Sequence, residues 1–416
     1  MQGKQELKRR SQRRTTQIKA IILCVGLFAI CSVTSAQEAE KVGKTYDIAA
    51  FVWPSYHPDE RAEIFWPDGI GEWQTVISNK PKFEGHDQPR HPVWGYVNEA
   101  DPYVAAMEIE AATDHGVNVF IFDWYWYDGR PFLEGHLNDG FLKARNNDKM
   151  KFYLMWANHD VKRIWDKRGA DDAFTGKDKS IVWRADLDRD EFEKIALRWI
   201  EKYFSRPNYY KIDDKPVLMI YRLDELIQGL GGIEEAVDAL NWFRKQVKKA
   251  GFKGLELQYS LRRDGQRQII IDGEDMGQEK DLVEKLGIDS LTHYVYPHMT
   301  GVDRDYNEVV EDVEKLWYQV SDNYQATYYP QVSVGWDNSV RGYKHIGHII
   351  KNATPENFEA ALRKAKSFAD KHPGQVPLIT VNSWNEWTET SYLMPDTLYG
   401  YGHLEAIKRV FVEEQQ

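Results

Sequence analysis

From about residue 47 onward, apolar, β-branched and aromatic runs alternate with helical stretches, and this alternation predicts a parallel α/β architecture. About eight strands are expected, over residues 47–53, 117–123, 151–156, 216–221, 254–259, 290–294, 328–332 and 377–381. The intervening helices carry their own punctuation. Asp101-Pro102 supplies an N-cap and a first-turn proline, with Gly116 as the stop, and Thr354-Pro355 repeats the device ahead of His372-Pro373-Gly374. Helical apolar spacing also covers 190–204, halted by Pro207, and 233–250, closed by Gly251. No linker, repeat or low-complexity tract divides the chain after residue 36, so residues 37–416 are expected to form one domain, a single (β/α)8 TIM barrel. An open doubly wound sheet is the alternative, and the lack of a glycine-rich phosphate loop after the first strand disfavours it.

Three connections are long, 53–98, 158–188 and 261–278, and all leave the C-terminal ends of expected strands. That is the face on which barrels build their sites, so these loops are expected to wall a cleft.

The first 36 residues read differently. A basic region (Lys8, Arg9, Arg10, Arg13, Arg14, Lys19), an apolar run from Ala20 to Val33 and Thr34-Ser35-Ala36 predict a cleaved export signal, with a secreted or periplasmic mature chain starting near Gln37. An uncleaved anchor is the alternative. Both cysteines, Cys24 and Cys31, fall in this segment, which removes thiol chemistry, disulfides and cysteine-ligated metals from the mature protein. Loss of its seven Lys/Arg and one Glu takes the formal charge from -11 to -17. So acidic a surface argues against nucleic acid as a partner, and no membrane contact is expected beyond the signal. The mature chain is expected to be a monomer.

Chemistry gathers at the expected strand ends: Trp53 with Tyr56 and His57; the run Asp123-Trp124-Tyr125-Trp126-Tyr127; Asn158 with His159; Tyr221-Arg222; Tyr294 with His298; Trp336 with Asp337; and Asn385 with Trp387. Any one aromatic is readily explained by packing, and 15 Trp and 23 Tyr must pack much of the core. Their recurrence at strand ends beside hydrogen-bonding side chains suits carbohydrate, whose C–H faces lie on aromatic rings while its hydroxyls take polar partners. Substrate contacts are therefore expected from Trp53, Tyr56, His57, Asp123, Trp124, Trp126, Asn158, His159, Tyr294, Trp336, Asp337, Asn385 and Trp387. Glu386 and Glu389 follow the last strand. Two neighbouring carboxyls cannot both ionise comfortably, so one can serve as acid and the other as base, as glycosidic cleavage requires. The competing reading is a helix start capped by Asn385 or Thr388. No metal is expected, since no His-x-x-x-His helix or carboxylate-rich loop gathers the histidines, and no cofactor motif appears.

Several runs in order, Trp66-Pro67-Asp68-Gly69-Ile70-Gly71-Glu72-Trp73, Gly85-His86-Asp87-Gln88-Pro89-Arg90, Phe122 to Tyr127, Gly335-Trp336-Asp337-Asn338 and Trp384 to Glu389, resemble the WbsX-like group. That group is similar to family-99 glycoside hydrolases, the endo-α-mannosidases and endo-α-mannanases. The resemblance implies a (β/α)8 barrel, retaining glycosidase chemistry on an oligosaccharide or polysaccharide, and no metal. Asn385, Glu386, Trp387 and Glu389 match that family's Asn-Glu-Trp-x-Glu, which implies Glu386 as general base and Glu389 as general acid. It further implies a base acting on the sugar's own 2-hydroxyl, with a 1,2-anhydro intermediate. The residues after Glu389, Thr390 to Pro395, depart from family 99, so the resemblance does not carry mannose with it. Competing functions are a polysaccharide lyase, for which Arg222, Arg262, Arg263 and Arg341 offer cations, a glycosyltransferase, and a non-catalytic glycan-binding protein. Transfer is disfavoured because an exported protein seldom meets a nucleotide-sugar donor and no Asp-x-Asp motif follows a strand.

Overall fold

The computed structural model describes residues 45–178 and 180–415. The expected signal segment, with Cys24 and Cys31, lies outside them. Among the described residues no helix is long and apolar enough to cross a membrane.

The parallel strands are β1 (Asp47–Val52), β2 (Val119–Tyr127), β3 (Lys151–Trp156), β4 (Lys215–Ile220), β5 (Glu256–Ser260), β6 (Ser290–Thr292), β7 (in two pieces, Thr327–Tyr328 and Gln331–Ser333) and β8 (Leu378–Asn382). They pair in chain order from β1 to β6, and β1 also pairs with β8. The seventh strand closes the circle: its first piece pairs with β6 and its second with β8. The break falls at Pro330, which has no N–H for a ladder. Its carbonyl still accepts from the Thr380 amide at 3.0 Å, while Tyr329 donates to the Leu291 carbonyl at 2.8 Å. The sheet thus returns on itself as the predicted (β/α)8 barrel.

Helices α1 (Pro102–Asp114), α2 (Arg189–Trp199), α3 (Ile233–Lys249), α4 (Tyr306–Asn323), α5 (Pro355–Lys371) and α6 (Gly402–Phe411) surround it. The Asp101 side chain caps α1 and the Thr354 hydroxyl caps α5, as the sequence predicts. Along α5 the buried Phe358, Ala361, Leu362, Ala365, Phe368 and Ala369 recur at helical spacing and supply the stripe that packs on the sheet. The helix expected over 190–204 starts one residue earlier, capped by Asp188, and ends in a π-helical turn, Ile200–Phe204. No long helix follows β2, where the short turns His136–Gly140, Phe141–Lys143 and Asn147–Lys149 take its place.

Register fixes which side chains face the barrel axis. Ala49, opposite Val119 and Thr380, starts an inward row that continues through Phe51 and Trp53 on β1 and through Ile121, Asp123 and Tyr125 on β2. The interior is notably polar. Tyr153 donates to Gln258 at 2.9 Å, and the Thr292 and Thr380 hydroxyls meet at 2.7 Å across the barrel. The alternate row on β2, Phe120, Phe122, Trp124 and Trp126, faces the helical layer, where Trp124 packs edge-on against Trp199 of α2 at 5.1 Å.

Candidate active site

The segment leaving β8 folds back at once. Asn385–Glu386 pairs antiparallel with Ser391–Tyr392 around a single 3-10 turn, Trp387–Glu389. Ser383 pins this hairpin, accepting from the Glu386 amide at 2.8 Å and donating to the Ser391 carbonyl at 2.7 Å. Thr390 takes a left-handed φ of 53° to reverse the chain. No capped helix starts here, so the competing sequence reading of the two glutamates does not describe this segment.

This geometry stacks Glu386 and Glu389 against one guanidinium. Arg341, on the loop after β7, donates from Nη2 to Glu386 at 2.7 Å, from Nη1 to Glu389 at 2.9 Å and from Nε to Thr388 Oγ1 at 3.1 Å. A third carboxylate, Glu72 from the loop after β1, lies 3.7 Å from Arg341 Nε. Glu72 also accepts from Ser55 at 3.0 Å, from Thr388 at 3.1 Å and from the Trp53 indole. The Tyr294 hydroxyl lies between Asp123 at 3.1 Å and the other oxygen of Glu386 at 3.4 Å, and its one proton serves one of the two contacts at a time. Residues from β1, β2, β6, β7 and β8 thus converge at the C-terminal mouth. All are secluded: Glu386 is 2% exposed and Glu389 9%.

One cation among four carboxyl groups leaves protons behind. Burial, and then the charge on Glu389, pushes Glu386 well above the usual carboxylate range, and burial raises Glu389 against the pull of Arg341. Asp123 is also raised, again chiefly by burial. The hydrogen bonds locate the proton. One oxygen of Glu386 accepts from Arg341 and the other lies within reach of the Tyr294 hydroxyl, which favours its ionised form, whereas Oε2 of Glu389 is buried without a partner and is free to carry a proton. The greater upward push on Glu386 opposes this split; the split rests on Arg341 at one oxygen and on the Tyr294 proton pointing to the other, while Asp123, itself raised by burial, holds a proton and donates to the phenol oxygen.

The expected substrate contacts divide into groups. Asp123 and Tyr294 join the carboxylates. Trp53 holds Glu72 through its indole and packs on Tyr125 and Trp165 at 5.6 and 5.1 Å. Asn385 and Tyr56 position the hairpin: Asn385 exchanges hydrogen bonds of 2.8 Å with both backbone groups of Trp53, and Tyr56 accepts from the Trp387 amide at 3.0 Å. Trp387 is itself buried, stacked on Tyr392 at 3.8 Å. Trp124 and Trp126 point away from the mouth, their indoles bonded to Glu134 and Glu191; the inward ring of that run is Tyr125. Asn158 ties β3 to β4 by bonding both backbone groups of Arg222 at 2.7 and 2.9 Å. His159 lies between Tyr125, Trp165 and Tyr221, its imidazole held down to about 4 by burial. His57 is buried beside Gly135, with neither ring nitrogen partnered, and is lowered to about 3. Trp336 and Asp337 line a separate cavity of about 650 Å³ among the loops after β1, β7 and β8, with His86 2.8 Å from Asp337.

Glu72 and Tyr125 escaped selection from sequence, and Arg341 entered only as one of four arginines that could supply a cation to a lyase. Glu72 sits in a motif run and Tyr125 in an aromatic run, but nothing local marks a lone Arg341 as the shared partner of two glutamates. A fourth group, Glu99, Glu108 and His136, is buried beneath Asn385, with His136 3.1 Å from each carboxylate. It has the residue types of a metal site, yet both imidazole nitrogens face carboxylates, which suits an imidazolium better than a ligand. Asp-x-Asp spacings occur at Asp186, Asp188 and Asp190 and at Asp303 and Asp305; Asp188 and Asp305 are helix caps.

The family model described as glycosyltransferase WbsX matches residues 48–407. The uncharacterized protein WxcX from two strains of Xanthomonas campestris pv. campestris is 29% identical over 368 residues, covering 87% of this chain and 49% of the relative. The chain therefore spans about half the length of the curated relatives it matches. Among solved structures, a glycoside hydrolase-like protein superposes with a TM-score of 0.55 at 15% identity, covering 89% of this chain and 95% of that one. The GH99 endo-alpha-mannosidase from Bacteroides thetaiotaomicron gives 0.52 at 11% identity, covering 88% and 97%. At these identities the likeness establishes a shared glycoside-hydrolase-like fold.

Proposed function

This chain belongs to the WbsX family, and from that premise we propose that it is an exported glycoside hydrolase that cleaves a complex glycan or polysaccharide with retention, using Glu386 as base and Glu389 as acid. One observation carries the reading: two glutamates of one hairpin meet a single guanidinium at the barrel mouth, one with a donor in reach of each oxygen and the other with an unpartnered oxygen. That asymmetry supports a division of roles. Glu386, kept ionised by Arg341, accepts a proton from the sugar's own 2-hydroxyl as that oxygen attacks the anomeric carbon, and water then opens the resulting 1,2-anhydro sugar, so that configuration is retained. Glu389 donates its proton to the departing glycosidic oxygen. Arg341 keeps the pair from being neutralised altogether by burial.

The glycosyltransferase in the family's description is the competing activity. An Asp-x-Asp, Asp186-Leu187-Asp188, does follow the short strand Ile181–Trp183, but the Asp188 side chain caps a helix, as Asp305 does in the other such spacing, and this use speaks for hydrolysis over transfer from a nucleotide sugar. Substrates with good and poor leaving groups test the assignment. Glu389→Gln is expected to lose at least about 100-fold on natural glycosides while sparing activated aryl glycosides, and Glu386→Gln to lose both. Equal, full activity of the two variants on both substrates sinks the assignment.

A further inference from the structure

Opposite the carboxylates, the mouth carries a cation without a counter-charge. Arg262 follows β5, is half-buried, and donates from Nη2 to the Tyr221 phenol at 3.1 Å, with its guanidinium carbon 5.3 Å from that ring. Among the described residues no carboxylate lies within ion-pair distance of it. Arg222, its neighbour after β4, is by contrast occupied by Asp224 and Glu225. In a chain of formal charge -11, an uncompensated arginine held in place on an aromatic ring inside the mouth calls for an explanation.

Its surroundings are those of a sugar subsite. Tyr221 stands edge-on to Tyr294 at 5.6 Å and next to His159 and His298 at 5.5 and 6.2 Å, and Tyr294 leads directly to Glu386. His298 Nδ1 is buried without a partner. His298, His293 and His159 all have their imidazoles lowered, first by burial and in part by Arg262, so they are neutral hydrogen-bonding groups and leave Arg262 as the cation of this wall. The two tyrosines stand between Arg262 and the glutamates. An anion on Arg262 is thus set apart from the anionic pair.

Resting on the proposed glycan-cleaving role, we propose that Arg262 selects a sugar unit bearing an anionic substituent, a uronate carboxylate or a sulfate ester, gripped by the guanidinium while Tyr221 and the neutral imidazoles take the ring and its hydroxyls. A planar guanidinium matches either oxyanion with paired N–H donors.

Titration calorimetry of the folded protein with glucuronate, glucose 6-sulfate, glucose and inorganic sulfate tests this. At least one charged sugar is expected to bind about 10-fold or more tightly than glucose, a preference that Arg262→Gln abolishes and Arg262→Lys, which keeps the charge but loses the fork, reduces. Thermal melting verifies that each variant is folded, and the lysine variant serves if the glutamine one is not. The proposal is overturned if no charged sugar outbinds glucose, if the preference survives Arg262→Gln, or if inorganic sulfate binds as well as the charged sugars. The readout is affinity, so a failure to cleave counts against the proposed hydrolysis and leaves this result standing.

Discussion

At the scale of single residues, Arg341 is the pivot. It lies buried among Glu72, Glu386 and Glu389, and its own proton is held more tightly by those charges despite its burial. Removing it leaves carboxyls in a dry site without a cation. Arg341→Met is expected to lower stability by about 3–5 kcal/mol and, because the carboxyls lose the charge that pulls them down, to move both limbs of the pH–rate profile upward. Denaturant unfolding and the profile check the two halves; an unchanged profile contradicts the role of Arg341. Sequence gave access to Glu386 and Glu389 because a strand end followed by closely spaced glutamates among tryptophans is a local signal. Arg341 lies 45 residues from Glu386 in sequence, and only barrel closure brings it there. The orientation of Trp124 and Trp126 is a different matter: residues alternate along a strand, so Asp123 and Tyr125 facing the axis obliges both tryptophans to face the helices, and strand parity applied to that run would have shown it.

At the scale of elements, the site hangs on the joint between the β8 hairpin and the loop after β1. Asn385 bonds Trp53 on one side and both oxygens of Glu99 on the other, each at 3.0 Å. Glu99 in turn meets His136, from the turn that replaces a helix after β2, and His136 meets Glu108 of α1. The two carboxylates raise His136 from 6.5 to about 10 against its burial, and burial raises Glu99 to about 7. A raised imidazole contributes its full stability below pH 6.5 and loses it as pH climbs toward about 10; a raised carboxyl erodes stability in the same direction, between 4.5 and about 7. Melting temperature is therefore expected to fall as pH rises from 6.5 to 10. His136→Gln should start lower and fall less steeply over that window. A parallel decline in both proteins contradicts a charged His136. The strands and the capped helices were legible because period and capping are local. The missing helix after β2 was not, since its short turns carry no periodic stripe.

At the scale of the whole molecule, the fold follows from the order of strands, with β7 bridging β6 and β8 around Pro330. The predicted strand positions were close to those observed because buried parallel strands read as continuous apolar runs. The proposal of an exported enzyme rests on residues 1–36 and is separately testable. Mass spectrometry of the protein recovered from its cells is expected to find an N-terminus near Gln37, and an intact N-terminus held on membranes contradicts export with cleavage. The central claim is that the carboxylate pair hydrolyses a glycosidic bond, and water labelled with oxygen-18 tests it most directly. A glycan panel digested in that water by the unaltered protein and by Glu386→Gln is analysed by mass spectrometry. Hydrolysis predicts one labelled oxygen at each newly released reducing end with the unaltered protein, and no released ends with the variant. Unlabelled, unsaturated products, or labelled ends formed as fast by Glu386→Gln, contradict it.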